Sequence, residues 1–189
     1  MKFKIHFLFF VFWAIFIILA DTDFILCIFI AAAFHEAAHI CAYTAFGAEL
    51  DSVQLLPFGI SATLKNAVAL PCKKEIICAA AGPLANIILT AAYFIPENIV
   101  YGSNVLAYCS FALFLINILP VMPLDGGRIL WFTMLSVFPY KKAKKITDTV
   151  SIITAASVLL AGTVTAAENG NISLLMIGSY LVIHIVFKS

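Results

Sequence analysis

The chain has 189 residues, of which 63% are hydrophobic and only 11% are charged, and its mean hydropathy is +1.08. A soluble domain needs far more polar surface than this, so the composition predicts an integral membrane protein. The net charge of +1 argues against a nucleic-acid partner, because no basic patch is large enough to follow a phosphate backbone. The expected surroundings are therefore a lipid bilayer.

Six apolar runs can cross a bilayer, whose hydrocarbon core takes about 20 residues of helix. In chain order the predicted spans are residues 5–20, 24–46, 75–95, 104–119, 149–166 and 172–187. The fourth span continues through the sequence NILPVMPLDGG into a further apolar piece that ends at residue 138, which predicts a broken, partly re-entrant span. The predicted fold is a single all-α transmembrane domain over residues 1–189.

The lysines predict how these spans are oriented. If the N-terminus with Lys2 and Lys4 is cytoplasmic, six alternating spans also place the KKAKK sequence at residues 141–145 and Lys188 inside. The outer loops then hold acidic residues and no Lys or Arg. Cytoplasmic loops carry the Lys/Arg excess, so we expect a multi-pass protein of the cell membrane with both termini in the cytoplasm.

One apolar segment fits neither a span nor an ordinary loop. The sequence SVQLLPFGISATL, residues 52–64, alternates roughly and has Pro57 and Gly59 at its centre. This pattern predicts a β-hairpin-like turn between two extended arms, associated with the cytoplasmic face of the membrane. Because unpaired backbone is not tolerated in lipid, the arms must pair with each other or lie against protein. An interfacial loop that only fills space is the alternative.

The second span contains AAAFHEAAHICAYTAFG, with two histidines and a glutamate near its middle. Ionisable side chains within a membrane helix are costly, so they usually have a function. His35 and His39 are four residues apart and share one helix face, where both imidazoles can bind one ion, and Glu36 lies beside them. Such a set is typical of a zinc site with a general base.

A catalytic zinc ion needs a third protein ligand. Asp125 is the favoured candidate, because Pro120 and Pro123 break the fourth helix just before it. Broken backbone at membrane depth is permitted only where it lines a cavity or is buried in protein. The other histidines, His6 and His184, lie near the predicted cytoplasmic ends of the first and last spans and are expected to be interfacial side chains.

The motifs HEAAH, LLPFG, AGPLAN and NILPVMPLDGG, in this order, resemble the intramembrane site-2 protease (M50) family, most of all its stage IV sporulation protein FB branch. The resemblance covers nearly the whole chain. It implies that His35, His39 and Asp125 bind one catalytic zinc ion and that Glu36 acts as base. It also implies a membrane-associated protein substrate that is cut near the cytoplasmic face.

The resemblance has further implications for partners and regulation. A membrane-tethered sigma-factor precursor of sporulation would be the first substrate to consider, and an inhibitory membrane partner is a second kind of partner to consider. Many family members have glycine where this chain has Ala38, a small-for-small change. Members of the branch often carry a soluble CBS domain after the last span, and this chain has none, so regulation by nucleotide is not carried over.

Substrate-binding roles are expected for three residues. The family pattern implies that Asn117 contacts the substrate backbone or supports the oxyanion. Phe58 and Gly59 lie in the predicted hairpin, whose strand edge could bind an extended substrate by β-augmentation. Asn86 and Gly82 of the AGPLAN sequence are instead expected to serve helix packing.

A non-catalytic membrane metal-binding scaffold, or a metal carrier, is the main alternative that uses the same ligands. A carrier has no use for a base beside the ion, and the second span shows no polar relay between Phe24 and Phe34. A protease-like protein that binds membrane partners without cutting them is a further alternative, which the sequence leaves open.

Overall fold

The computed structural model describes residues 2–5, 22–56, 59–64, 70–91 and 103–188. The chain divides into two compact units, Met1–Ile116 and Asn117–Ser189. Apart from its first residue, the predicted first span lies outside the described residues, and so do residues 92–95 of the predicted third span.

The described part of the chain is mainly helical, as the long apolar runs predicted, and it also contains a small sheet. The strands are β1 (Lys2–Ile5), β2 (Leu50–Leu56) and β3 (Gly59–Leu64). The helices are α1 (Thr22–Ala45), α2 (Cys72–Ala91), α3 (Ser103–Asn117), α4 (Asp125–Val137), α5 (Tyr140–Asn169) and α6 (Ser173–Lys188).

Several of these helices are suited to a membrane. By length and composition, three described helices could cross one: Phe24–Ala45, Cys72–Ala91 and Tyr140–Asn169. Two shorter apolar helices, Asn104–Asn117 and Ser173–Phe187, coincide with the predicted fourth and sixth spans. Many large apolar side chains on these helices are exposed, as expected where lipid and not water surrounds them. The exact number of six spans stays a prediction.

A three-stranded sheet with the order β1-β2-β3 lies in the first unit. β2 and β3 pair antiparallel, with Leu56 opposite Gly59, so the two arms on either side of Pro57 pair with each other. β1 is not predicted from the sequence; it pairs parallel to β2, with Phe3 opposite Val53. The prediction of an all-α protein missed β1 because a short strand with a distant partner leaves little local signal.

Within the first unit, α1 packs against α2. The Tyr43 hydroxyl donates to Glu75 Oε2 over 2.8 Å, and the Lys74 ammonium group lies 5.1 Å from the centre of the Phe46 ring. These contacts join the end of α1 to the start of α2 and help to fix their register. β3 also contacts α1, so the sheet lies beside the helix that carries HEAAH.

Within the second unit, α5 packs against both α4 and α6. A Cβ atom added to Gly162 would lie 2.5 Å from the Leu175 amide nitrogen, so α5 and α6 approach closely because a small residue separates them. The buried core of this unit contains Val121, Ala155 and Leu181. The loop that precedes α4 is therefore anchored in the core.

The predicted spans end at residue 138 and resume at residue 149, which leaves the KKAKK sequence in a loop. This part of the prediction is wrong, because the sequence is helical. α5 begins at Tyr140, directly after Pro139 at the N-cap position, and the four lysines form its first turns. Their side chains are exposed, and lysine has a high helix propensity, so the helix extends beyond its apolar part. Hydropathy marks the apolar part of a helix and not its ends.

Candidate metal and catalytic site

The HEAAH sequence lies within α1, and both of its histidines are buried. His35 is 5% exposed and His39 is 9% exposed. Their Nε2 atoms are 3.1 Å apart, and their ring planes meet nearly at right angles. Two imidazole nitrogens that converge in this way could serve as ligands of one metal ion.

The outer nitrogens of both rings face α2. His39 Nδ1 lies 2.7 Å from the Cys78 carbonyl oxygen. Because a carbonyl only accepts hydrogen bonds, Nδ1 must be the donor, and in a neutral ring the lone pair is then on Nε2. His35 Nδ1 lies 3.0 Å from Asn86 Nδ2. Metal-binding histidines almost always donate the N–H of the second nitrogen to an acceptor, and the Cys78 carbonyl gives His39 this arrangement.

Gly82 of α2 lies against the inner nitrogens. A Cβ atom added at this position would overlap Nε2 of both His35 and His39, so a glycine is needed to keep this space open. Neutral imidazole nitrogens suit zinc, copper, iron and nickel. The residues present therefore fit a small transition-metal ion.

Glu36 follows His35 directly on α1 and is half-buried. Successive helix residues point about 100° apart, so its carboxylate flanks the face formed by the imidazoles. A carboxylate in this position can exchange a proton with a water molecule bound at that face. The arrangement suits a general base beside a metal ion.

In the second unit, Asp125 is the first residue of α4 and is 7% exposed. The positive end of the helix dipole stabilises a carboxylate at this position. Nη1 of Arg128, one helical turn later, lies 3.8 Å from Asp125 Oδ1. A carboxylate oxygen is a suitable ligand for a zinc ion.

The break before α4 determines where Asp125 lies within this unit. The Val121 amide donates to the Leu119 carbonyl over 2.7 Å, which makes a tight turn, and the Met122–Pro123 peptide bond is cis. A Cβ atom added to Gly127 would lie 2.5 Å from the amide nitrogen of Met122. The glycine therefore lets the start of α4 pack directly on the broken backbone.

The three predicted substrate-binding residues lie in different parts of the chain. Asn117 is the half-buried last residue of α3, just before the break. Gly59 is the first residue of β3, at the hairpin turn. Phe58 lies outside the described residues. Their roles in substrate binding stay predictions.

Gly82 and Asn86 are the residues that sequence reasoning missed, because it assigned both to helix packing. In the structure both contact the histidines. Their four-residue spacing is the same as that of His35 and His39, so two helices present matching faces to each other. In the sequence, an amide side chain four residues after a glycine in an otherwise apolar helix is the signal that could have indicated their role.

Comparisons with known proteins agree with this architecture. Residues 96–161 match the family model described as Peptidase family M50. The solved structure of the site-2 protease from Methanocaldococcus jannaschii superposes with a TM-score of 0.68 and 24% sequence identity, over 99% of this chain and 90% of that chain. The fold is therefore that of a site-2 protease.

Two curated proteins are also similar in sequence. Stage IV sporulation protein FB of Bacillus subtilis is 30% identical over 126 residues, which cover 65% of this chain and 44% of that protein. A zinc metalloprotease of Methanocaldococcus jannaschii is 28% identical over 160 residues, which cover 80% of this chain and 44% of that protein. The chain thus matches less than half the length of either relative. These matches confirm the resemblance to the site-2 protease (M50) family.

Proposed function

We propose that this protein is a zinc-dependent intramembrane endopeptidase that hydrolyses a peptide bond of a membrane-associated protein near the cytoplasmic face. The observation that carries the proposal is the buried imidazole pair, with Nε2 atoms 3.1 Å apart beside Gly82. Glu36 adjoins this pair in the sequence of α1. The similarity to a protein named as a zinc metalloprotease supports the same activity.

In the proposed site, His35, His39 and Asp125 bind one zinc ion. Catalytic zinc typically has three protein ligands and one open position. With Glu36 and Asp125 ionised and both imidazoles neutral, the formal charges cancel, and this avoids the desolvation cost of a net buried charge. A bound zinc ion would supply Lewis-acid chemistry, because it acidifies water and polarises a carbonyl group.

The side chains of the protein would move the proton and orient the reacting groups. The Glu36 carboxylate accepts a proton from the attacking water and donates it to the leaving amine nitrogen. The hydrogen bond from His39 Nδ1 to the Cys78 carbonyl keeps that imidazole in one orientation. The Asn117 amide donates to the substrate carbonyl oxygen, where negative charge develops.

β3 is proposed to bind the substrate as an added strand. A helical substrate has its carbonyl groups in internal hydrogen bonds, so it must be extended where it is cut. Within the described residues, β2 has a strand on each side, whereas β3 is an edge strand and contacts α1. A substrate strand paired with β3 would therefore pass beside HEAAH, and Phe58 and Gly59 would contact it.

Two substitutions separate substrate binding from chemistry. Phe58→Ala is expected to raise KM about tenfold, the equivalent of 1.4 kcal/mol, because it removes an aromatic contact with the substrate.

Asn117→Ala is expected to lower kcat by about 100-fold, because the lost donor acts on the transition state. Steady-state kinetics and zinc content measure both, and Phe3→Ala on β1 is the matched control. If Phe58→Ala loses zinc as fully as it loses substrate binding, the strand-edge proposal is wrong.

The substrate and the orientation in the membrane follow as parts of this proposal. The similarity to a stage IV sporulation protein makes a membrane-tethered sigma-factor precursor the first substrate to test. Co-expression of candidate membrane proteins with both the protease and its substrate tests for an inhibitory partner. The exposed lysines at the start of α5 support a cytoplasmic position for that end of the helix, with both termini in the cytoplasm. A C-terminal reporter that is active only in the cytoplasm tests this orientation.

The proposed activity is tested through its products. Membrane-protein fragments are mapped by mass spectrometry in cells that express the chain and in cells that express its Glu36→Gln variant. New termini within or near a membrane segment should appear only with the unmodified protein. If the purified protein binds zinc but no fragment depends on Glu36, the metal-binding scaffold is the better description.

A further inference from the structure

Asn86 has an unusual hydrogen-bonding environment on α2. Its side chain is 0% exposed, and its Nδ2 lies 3.0 Å from His35 Nδ1. Its Oδ1 is buried and has no hydrogen-bond partner within the described part of the chain. A buried acceptor without a hydrogen-bond partner is unfavourable. A half-turn of the amide exchanges the two atoms, so Asn86 can present either a donor or an acceptor to His35.

The tautomer of His35 decides which atom of the amide fits. When the amide nitrogen faces the ring, Asn86 donates to Nδ1, and the ring proton is on Nε2. That proton can be donated to Nε2 of His39, 3.1 Å away, so the pair is satisfied without a metal ion. When the amide oxygen faces the ring, Nδ1 carries the proton, and the Nε2 lone pair is available to a metal ion.

Three positions of α2 face the two imidazoles in a regular order. The Cys78 carbonyl accepts from His39, Gly82 leaves space beside both Nε2 atoms, and Asn86 meets His35. These positions are four residues apart, so they form one stripe along the helix. The Cys78 carbonyl can only accept, and it holds His39 in the tautomer whose Nε2 carries no proton. An acceptor at Asn86 would do the same for His35.

We propose that Asn86 is a positioning residue that selects the metal-binding tautomer of His35. When the metal ion binds, the amide of Asn86 turns so that Oδ1 accepts the Nδ1–H of His35, and Nε2 becomes a ligand. The ring stays neutral, because it releases the Nε2 proton to water and takes up one proton from water at Nδ1. The turn gives the buried amide oxygen a partner and moves the amide nitrogen to the position that Oδ1 held. This inference rests on the proposed zinc site.

Zinc affinity tests the inference without any substrate. The dissociation constant for Zn²⁺ is measured on the purified, metal-stripped full chain by competition with a chromophoric chelator. Asn86→Leu keeps the number of side-chain heavy atoms but has no acceptor, and we expect its dissociation constant to rise about 10- to 100-fold. Asn86→Asp keeps an acceptor and should retain most of the affinity for Zn²⁺. Thr90→Val is the matched control. It removes the hydrogen bond from the Thr90 hydroxyl to the main-chain carbonyl of Asn86 and leaves the side-chain amide in place.

The outcomes distinguish this inference from the proposed function. If the unmodified chain does not bind zinc, the proposed metalloprotease function fails. If the unmodified chain binds zinc and Asn86→Leu binds it equally well, only the role of Asn86 is refuted. A ¹⁵N NMR measurement of the zinc-loaded chain needs no variant, so it remains decisive if Asn86→Leu does not fold. It should show a protonated Nδ1 and a metal-bound Nε2 for His35, and an unprotonated Nδ1 would overturn the inference.

Discussion

Glu36→Gln is expected to lower the rate of peptide hydrolysis by about 100- to 10,000-fold, which is the usual contribution of a general base. Glutamine has nearly the same size as glutamate but cannot take up a proton at neutral pH. Because Glu36 is not among the proposed ligands, the variant should keep its zinc. The rate and the zinc content are measured on the same preparation, in detergent or in lipid vesicles.

Glu75→Gln is the matched control for this substitution. Glu75 is also half-buried in the first unit, but it accepts a hydrogen bond from Tyr43 at the other end of the α1–α2 pair. The control should cut at nearly the normal rate. If Glu36→Gln cuts as fast as the unmodified protein, the assignment of the base is wrong, and if it loses its zinc, Glu36 is a ligand.

Gly82→Ala is expected to abolish zinc binding and activity together. The added Cβ atom would overlap Nε2 of both His35 and His39, so at least one imidazole must leave its position. The overlap is between a Cβ atom fixed to the backbone of α2 and two buried rings. Overpacking of this kind costs about 1–3 kcal/mol. Alanine is itself favoured over glycine in a helix, so the backbone of α2 should still form. Zinc content, activity and circular dichroism measure the three effects.

Ala81→Ser is the matched control for the crowding at Gly82. It also adds one heavy atom to α2, but on a residue that points about 100° away around the helix. This control should keep both zinc and activity. Normal zinc content in Gly82→Ala would show that the space beside the imidazoles is not needed for the ion.

The features that could be predicted from the sequence are those with a local cause. The four-residue spacing of His35 and His39 predicts one helix face because both the spacing and the helix belong to one segment. Pro120 and Pro123 predict a break in the helix before Asp125, because proline cannot donate the backbone hydrogen bond. Pro57 and Gly59 predict a turn between the two arms of the hairpin, because proline and glycine favour turns.

The features that could not be predicted depend on distant parts of the chain. β1 forms only because β2 pairs with it, and nothing in the first residues specifies that partner. The contacts of Gly82 and Asn86 with the histidines require α1 and α2 to pack in one register, which no local pattern encodes. The start of α5 at Tyr140 was missed because polar residues in the first turns of a helix have no apolar period.

The zinc content of the purified 189-residue chain tests the central claim most directly, namely that His35, His39 and Asp125 hold one ion. We expect one zinc ion per unmodified chain and almost none in His39→Ala and in Asp125→Ala. Asp148→Ala, which removes an exposed carboxylate paired with Lys144, should keep the full content. Full zinc content in a folded Asp125→Ala variant would contradict the account.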